Sequence, residues 1–368
     1  MQRFLTIFPT AENIHLIKDV GMIPYVLHKE FNYDATLACY NNGTYSYLNS
    51  EVPGLKQHFI PKIFNNYTLD SCFFILCNFR KYDIVQCFHL INPSLLILFL
   101  FKVLKKMTFS SCFTYLKLDA DDNIKLFKLT LIHRAILKKI NLVSIESKGL
   151  YTFLNKNNIL ERKVNYIPNG FYSNDERRYV DFSSKDNLII TVGRIGTYQK
   201  YNETLLEAFK EFAVINRSWK LEVIGPVVDS FKTYVQEYFK LNPNLIDRVL
   251  FTGAISDRVF LEEKYRKAKI FVLSSRFEGF PLVYIEAIKA GCTIITSNIT
   301  PGYDITDNER YGAIFPIGNV NSLVEQLTKA VNNPTKLEKD CELIQDFANS
   351  NYSWKNICMS IDKLIKNR

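Results

Sequence analysis

The chain has 368 residues, 47% of them apolar and 23% charged, which at roughly 100–200 residues per domain predicts two domains, or three, with material for buried cores. That composition excludes a disordered chain, a collagen-like repeat and a disulfide scaffold. The net charge of +9 is unevenly placed: residues 1–170 hold 20 Lys and Arg against 12 Asp and Glu, and residues 171–368 hold 26 against 25.

Taken in chain order, the start reads as a strand and not as a secretory leader, because Arg3 is followed by only five residues before Pro9. Apolar runs at 4–8, 35–39, 84–88, 113–118, 142–145 and 164–167 predict a first series of strands. The longest apolar run, 95–101, is seven residues, well short of the ~20 that a membrane-spanning helix needs. At Ile167-Pro168-Asn169-Gly170, Pro and Gly stop both kinds of regular structure and mark a domain break. A second series of strands follows at 188–192, 221–224, 249–251, 270–273, 293–296 and 313–315, with helical patterns at 203–212, 257–267 and 281–290 between them. The stretch 354–365 is a last amphipathic helix. Strand–helix alternation predicts parallel sheets flanked by helices, and two groups of six strands predict two doubly wound α/β domains. The eight cysteines form no CxxC pair and sit mostly in apolar runs. They read as reduced core residues of a cytoplasmic protein, with no metal-ligand spacing among them.

Ligands of open parallel sheets bind beyond the carboxyl ends of the strands. In the second half those ends carry Gly193-Arg194, Gly225-Pro226, Gly253 and 274–278. The most informative stretch is Ser275-Arg276-Phe277-Glu278-Gly279-Phe280-Pro281-Leu282-Val283-Tyr284-Ile285-Glu286-Ala287. Pro281 suits the first turn of a helix, whose free N–H groups around Gly279, Phe280 and Leu282 would form an anion site. Glu286 falls in the second turn among apolar neighbours. It lies either on a thin solvated stripe with Lys289 or in a specific hydrogen bond.

Glu278 and Glu286, with seven residues between them, resemble the EX7E segment of the retaining glycosyltransferases of family 4. Gly193-Arg194 with Lys200 is similar to that family's glycine-arginine…lysine loop, and 167–170 resembles its entry into the second domain. The resemblance implies a GT-B fold, two Rossmann-like domains facing each other across a cleft. The expected boundaries are 1–170 for an acceptor-side domain and 171–350 for a nucleotide-sugar domain, with 351–368 a helix returning to the first. It implies that Arg194 and Lys200 hold the diphosphate of a nucleotide-sugar donor. Gly279, Phe280, Pro281 and Leu282 would face the phosphate or sugar, Glu286 the ribose and Glu278 the donor sugar. In the first half the family's glycine loop is reduced to 18–24, leaving Gly21 near the donor. His89 and the pair Lys117 and Asp119, at successive strand ends, resemble its active-site positions. From the residues alone, His89 is equally a core histidine, and Lys117 with Asp119 equally a plain ion pair.

The implied activity is a retaining, metal-independent, cofactor-free transfer from a nucleotide-diphosphate sugar, UDP-sugar favoured, to a saccharide or lipid-linked glycan. Bacterial cell-surface polysaccharide synthesis is the family's common setting. The alternative is a GT-B-shaped, catalytically inactive subunit that binds the nucleotide sugar beside an active transferase. For the basic half, no nucleic-acid motif is present, and an anionic membrane fits. The segment 125–140, with Lys125, Lys128, Arg134, Lys138 and Lys139 beside Leu126, Leu129, Ile132, Ile136 and Ile140, reads either as a membrane-lying helix or as a core-packing one. The expected location is cytoplasmic, peripheral on the inner face of the membrane.

Overall fold

The computed structural model describes residues 1–119, 128–172 and 179–367. The short apolar runs form parallel strands because each is long enough to cross a sheet and both of its faces are covered by helices. The chain divides into two units, Met1–Tyr172 with Tyr352–Arg368, and Ser173–Asn351.

In the first unit the strands are β1 (Gln2–Ile7), β2 (Tyr33–Cys39), β3 (Lys56–Phe59), β4 (Ile84–Phe88), β5 (Phe113–Leu118), β6 (Leu142–Ile145) and β7 (Asn165–Tyr166). They form one parallel sheet in the order β3-β2-β1-β4-β5-β6-β7. The edge strand β3 is absent from the predicted series. Its Lys-Gln-His-Phe sequence carries no apolar run, and its residues are half-buried or exposed. Helices α1 (Asp19–Phe31), α2 (Tyr47–Ser50), α3 (Tyr67–Asn78), α4 (Asn92–Met107), α5 (Leu131–Lys139) and α6 (Lys148–Lys156) connect them. Of the expected helix 125–140, the described part is helical over Leu131–Lys139, and residues 125–127 lie outside the described residues.

One core cluster joins α1 to one face of this sheet, and another joins α3, α4, α5 and α6 to the opposite face. The last helix of the chain completes the first of these with Trp354, Ile357, Cys358, Ile361 and Ile365. The chain is tied where it leaves and re-enters the unit: Phe171 N–H donates to Tyr352 O at 2.9 Å, and Trp354 N–H donates to Phe171 O at 2.8 Å.

The second unit contains β8 (Asp186–Val192), α7 (Asn202–Ile215), β9 (Lys220–Ile224), α8 (Asp229–Leu241), β10 (Val249–Gly253), α9 (Arg258–Lys267) and β11 (Ala268–Leu273). It continues with α10 (Leu282–Lys289), β12 (Thr293–Ser297), α11 (Thr300–Ile305), β13 (Gly312–Phe315), α12 (Val320–Val331) and α13 (Pro334–Tyr352), before α14 (Trp354–Lys366). Its parallel sheet runs β10-β9-β8-β11-β12-β13. The strand order reverses between β1 and β4 in the first unit and between β8 and β11 in the second. Such switch points are where an open α/β sheet leaves a crevice for ligands.

Candidate functional site

At the second unit's switch point, β8 runs out into Gly193-Arg194 and β11 into the segment 274–278. Bringing these ends together requires glycine at 225, in the neighbouring loop after β9. Gly225 has φ +137°, and a Cβ there would stand 1.8 Å from Gly193 O. The loop after β8 is then stitched to the loop after β11. Ser274 Oγ donates to the carbonyls of Lys200 and Tyr201 at 3.1 and 3.0 Å, and Arg276 N–H donates to Gln199 O at 2.8 Å.

That stitching creates a cavity of about 350 Å³ whose wall includes Gly193, Arg194, Gln199, Lys200, Gly225 and Glu278, with Ala254, Ile255 and Leu261 as an apolar side. Lys200 Nζ donates to Glu278 Oε1 at 2.6 Å, and Ser275 Oγ donates to the same oxygen at 2.6 Å. Gln199 Nε2 donates to Glu278 Oε2 at 3.1 Å, while Gln199 Oε1 accepts from Arg194 Nη2 at 2.8 Å. With side chains 11% and 8% exposed, Lys200 and Glu278 are a nearly buried ion pair. The expected donor residues Arg194, Lys200 and Glu278 therefore converge, and Gln199, which the sequence reading passed over, bridges them.

Arg276 is a second residue that reading missed. Its guanidinium carbon lies 3.5 Å from the centre of the Tyr201 ring and 4.4 Å from that of Tyr198, within cation–π range. Its Nε is buried with no hydrogen-bond partner among the described residues. Stacking on two tyrosines of the 194–201 loop holds that loop against the strand end bearing Glu278.

The rest of the EX7E segment lies beyond this wall. Pro281 caps α10 in an extended conformation instead of opening its first turn, and the helix begins at Leu282. Proline there still ends the loop cleanly because its fixed φ suits the entry to a helix. Gly279 and Phe280 lie in the connecting loop, with Phe280 buried. Glu286 does not line the cavity. Its Oε2 accepts from Tyr265 Oη at 2.8 Å, and Lys289 pairs with Glu262 instead, so the specific hydrogen bond prevails over the solvated stripe. Burial pushes the Glu286 carboxyl above its ordinary range, partly offset by the Tyr265 hydrogen bond and by the charges of Arg258 and Lys289.

A polar cluster occupies the carboxyl edge of the first unit's sheet. His89, just after β4, has φ 62°, an uncommon conformation for a residue with a side chain, and its side chain is 36% exposed. It is not a buried core histidine. Its Nδ1 stands 4.0 Å from Asp119 Oδ2. Lys117 pairs with carboxyls remote in sequence. Its buried ammonium donates to Asp19 at 2.7 Å and lies 3.6 Å from Glu146 Oε2, which also accepts from Asn169 Nδ2 at 2.9 Å. Burial opposes the Lys117 charge, but the two carboxyls overcome this and raise its pKa. Glu146 is pushed up to about 8, by burial first and then by Asp119 and Asp19, against the pull of Lys117. Asp19, Glu146 and Asn169 were missed because their partners are remote in sequence. The strand-end rule applied to β6 would have picked out Glu146. Gly21, expected near the donor, sits in the first turns of α1, where a Cβ would meet Leu16 O at 2.3 Å. Close packing accounts for the glycine.

The comparisons with known proteins follow this geometry. Residues 173–346 match the family described as glycosyl transferases group 1. The capsular polysaccharide biosynthesis glycosyltransferase CapM of Staphylococcus aureus is 26% identical over 240 residues, 61% of this chain and 60% of that protein. The N-acetylgalactosamine-N,N'-diacetylbacillosaminyl-diphospho-undecaprenol 4-alpha-N-acetylgalactosaminyltransferase of Campylobacter jejuni is 25% identical over 234 residues, 61% of this chain and 59% of that one. The chain spans about 41 to 60% of the length of the curated relatives it first matches. Among solved structures, Anabaena HepE in complex with UDP superposes with a TM-score of 0.74 at 14% identity, over 100% of both chains. Residues 173–346 are thus similar to the glycosyl transferases group 1 family, and the two Rossmann-like sheets of the chain are those of the GT-B fold.

Proposed function

We propose that the protein is a retaining glycosyltransferase of the family 4 type. It moves a sugar from a nucleotide-diphosphate donor, UDP-sugar favoured, to a saccharide or lipid-linked glycan of a bacterial cell-surface polysaccharide. The observation that carries this reading is the convergence of Arg194, Lys200 and Glu278 on one cavity at the β8/β11 switch point. Two cations beside a slot with an apolar side suit a nucleoside diphosphate. They neutralise the negative charge that grows on the departing phosphate, the role a metal ion fills elsewhere. Glu278 stands where the donor sugar would meet Lys200. The acceptor hydroxyl loses its proton to the leaving phosphate as it attacks the same face of the sugar, and the chain supplies positioning and charge stabilisation. Glu286, held by Tyr265, serves donor affinity from the second layer. His89 and Asp119 offer hydrogen bonds to sugar hydroxyls, while Lys117 keeps Asp119's neighbour Glu146 in place.

The names of CapM and of the undecaprenol-linked transferase of Campylobacter support a polysaccharide or lipid-linked acceptor, and the UDP complex of HepE supports the choice of base. A calorimetric and thermal-shift screen of UDP, GDP and ADP with their glucose conjugates tests the reading. At about 100 times its dissociation constant a ligand adds ~2.7 kcal/mol of stability. UDP compounds should stabilise the protein in EDTA, and Arg194→Ala should abolish the effect. Turnover restored by manganese but lost on chelation would overturn the role given to Arg194 and Lys200. Tight nucleotide-sugar binding without transfer or hydrolysis would favour the inactive-subunit alternative.

A further inference from the structure

A glutamine stands between Arg194 and Glu278 in the wall of the donor cavity. Gln199 lies in the turn 197–200, where Lys200 N–H donates to Thr197 O at 3.0 Å and Thr197 Oγ donates to Arg194 O at 3.1 Å. Its backbone is pinned from the loop after β11. Arg276 N–H donates to Gln199 O at 2.8 Å, and the Arg276 guanidinium stacks on Tyr198 and Tyr201, on either side of Gln199 in the chain. The side chain is then oriented by three bonds. Oε1 accepts from Arg194 Nη2 at 2.8 Å, and Nε2 donates to Glu278 Oε2 and to Phe277 O, each at 3.1 Å. Among side chains, only an amide offers an acceptor to a guanidinium together with two donors for a carboxylate and a carbonyl. A glutamate at 199 would meet Glu278 with a second negative charge, and a lysine would meet Arg194 with a second positive one.

What this amide prevents is the collapse of the cation onto the carboxylate. Arg194 is exposed, Glu278 is nearly buried, and one amide group separates them. Glu278 accepts from Lys200 and Ser275 through Oε1 and from Gln199 through Oε2. Without Gln199, Oε2 loses its side-chain donor where little water reaches it, which is costly for a charged acceptor. Arg194, one amide away, is the cation placed to replace that donor, and a planar guanidinium pairs with a carboxylate through two N–H groups at once. A guanidinium so paired has fewer donors and less net charge to offer a phosphate. The same amide serves Lys200. As a diphosphate draws Lys200 off Oε1, Ser275 and Gln199 still hold the carboxylate, so the exchange does not strip Glu278 of its partners.

We propose that Gln199 is a positioning residue that holds Arg194 apart from Glu278 and so keeps the guanidinium available to the donor's diphosphate. The inference rests on the donor reading given above, and equilibrium binding tests it without turnover. Calorimetry with UDP and with inorganic pyrophosphate, in EDTA, compares the wild type, Gln199→Leu and Gln199→Glu, each with and without Glu278→Gln. Gln199→Leu should weaken both ligands by about tenfold, the scale of one lost charge-assisted contact. Glu278→Gln removes the carboxylate that captures Arg194, so in that background Gln199→Leu should cost less than about threefold. A glutamine that only supports the loop would cost the same in both backgrounds. Gln199→Glu keeps the shape but captures Arg194 itself, so it should weaken both ligands in either background. Melting curves on the same samples report folding, and if Gln199→Leu does not fold, the isosteric Gln199→Glu carries the test. Equal losses from Gln199→Leu in the two backgrounds, or a Gln199→Glu protein that binds like the wild type, would overturn the proposal. A wild type that binds neither ligand, nor GDP or ADP, would instead overturn the donor reading, and this proposal with it.

Discussion

Glu278→Gln tests the ion pair at the centre of the donor cavity, because it removes one charge and little else. Glu278 pairs with Lys200 at 2.6 Å, and Ser275 and Gln199 hold the carboxylate in place. An incoming diphosphate must share Lys200 with that carboxylate. At about 6 Å and an effective dielectric near 20, one carboxylate repels one phosphate charge by about 3 kcal/mol. Water in the open cavity reduces this by about half, leaving about tenfold in affinity. The variant should therefore bind UDP about tenfold more tightly, a gain calorimetry detects directly. It should also turn over roughly 10- to 1000-fold more slowly, since the lost charge acts where positive character develops on the donor sugar. Breaking a nearly buried pair costs up to about 3–5 kcal/mol, so the melting temperature should drop without UDP and recover when UDP is added. Tighter product binding with slower chemistry is a combination that simple damage to the site does not give. Weaker UDP binding in a folded variant, or an unchanged kcat, would refute the reasoning.

Three further outcomes follow from the geometry. Glu286→Ala should raise the donor KM by about 3- to 10-fold and leave kcat within about twofold, because Glu286 braces α9 through Tyr265 and such support counts equally in ground and transition states; a fall confined to kcat would contradict this. Arg276→Ala should raise the donor KM by about 3- to 10-fold through loss of its stacking on Tyr198 and Tyr201, and Arg276→Lys should not restore it. Glu146→Gln concerns pH. The folded protein holds the Glu146 proton up to about 8, whereas the unfolded chain releases it near ~4.3. Between those values the unfolded state binds fewer protons, so this group lowers stability as pH rises. The gap in melting temperature between Glu146→Gln and wild type should widen in favour of the variant from pH 5 to about 8, and a constant gap would show that Glu146 is ionised throughout.

Most strands and the Arg194–Lys200–Glu278 set were legible because their signals are local. An apolar run bounded by turn residues suffices for β4 or β11, and a motif of fixed spacing suffices for Glu278 and Glu286. What escaped was non-local. β3 is a strand because β2 offers it an edge, and its own residues do not announce it. Lys117 sits with Asp19 and Glu146, so its nearest charge in the chain, Asp119, is a poor guide to its partner. Gln199 looks like any loop glutamine until the ends of β8 and β11 are adjacent.

The course of the chain between the two units has a consequence for synthesis. The first unit's core includes Trp354, Ile357, Cys358, Ile361 and Ile365, and Asp362 accepts a hydrogen bond from the buried Tyr33 hydroxyl at 2.8 Å. These groups leave the ribosome only after all of Ser173–Asn351. At about 5–20 residues per second, the face of the first sheet that packs on α1 waits roughly 10–40 s for its final helix. The second unit, contiguous in sequence, has every residue it needs roughly 1–3 s before the first, so the N-terminal half is the later of the two to have its full core. A chain released early, anywhere before Trp354, would carry a complete second unit beside a first unit with an open apolar face. That makes the helix Trp354–Lys366 a folding check on the first unit, and a stop ahead of it a folding lesion instead of a harmless trim.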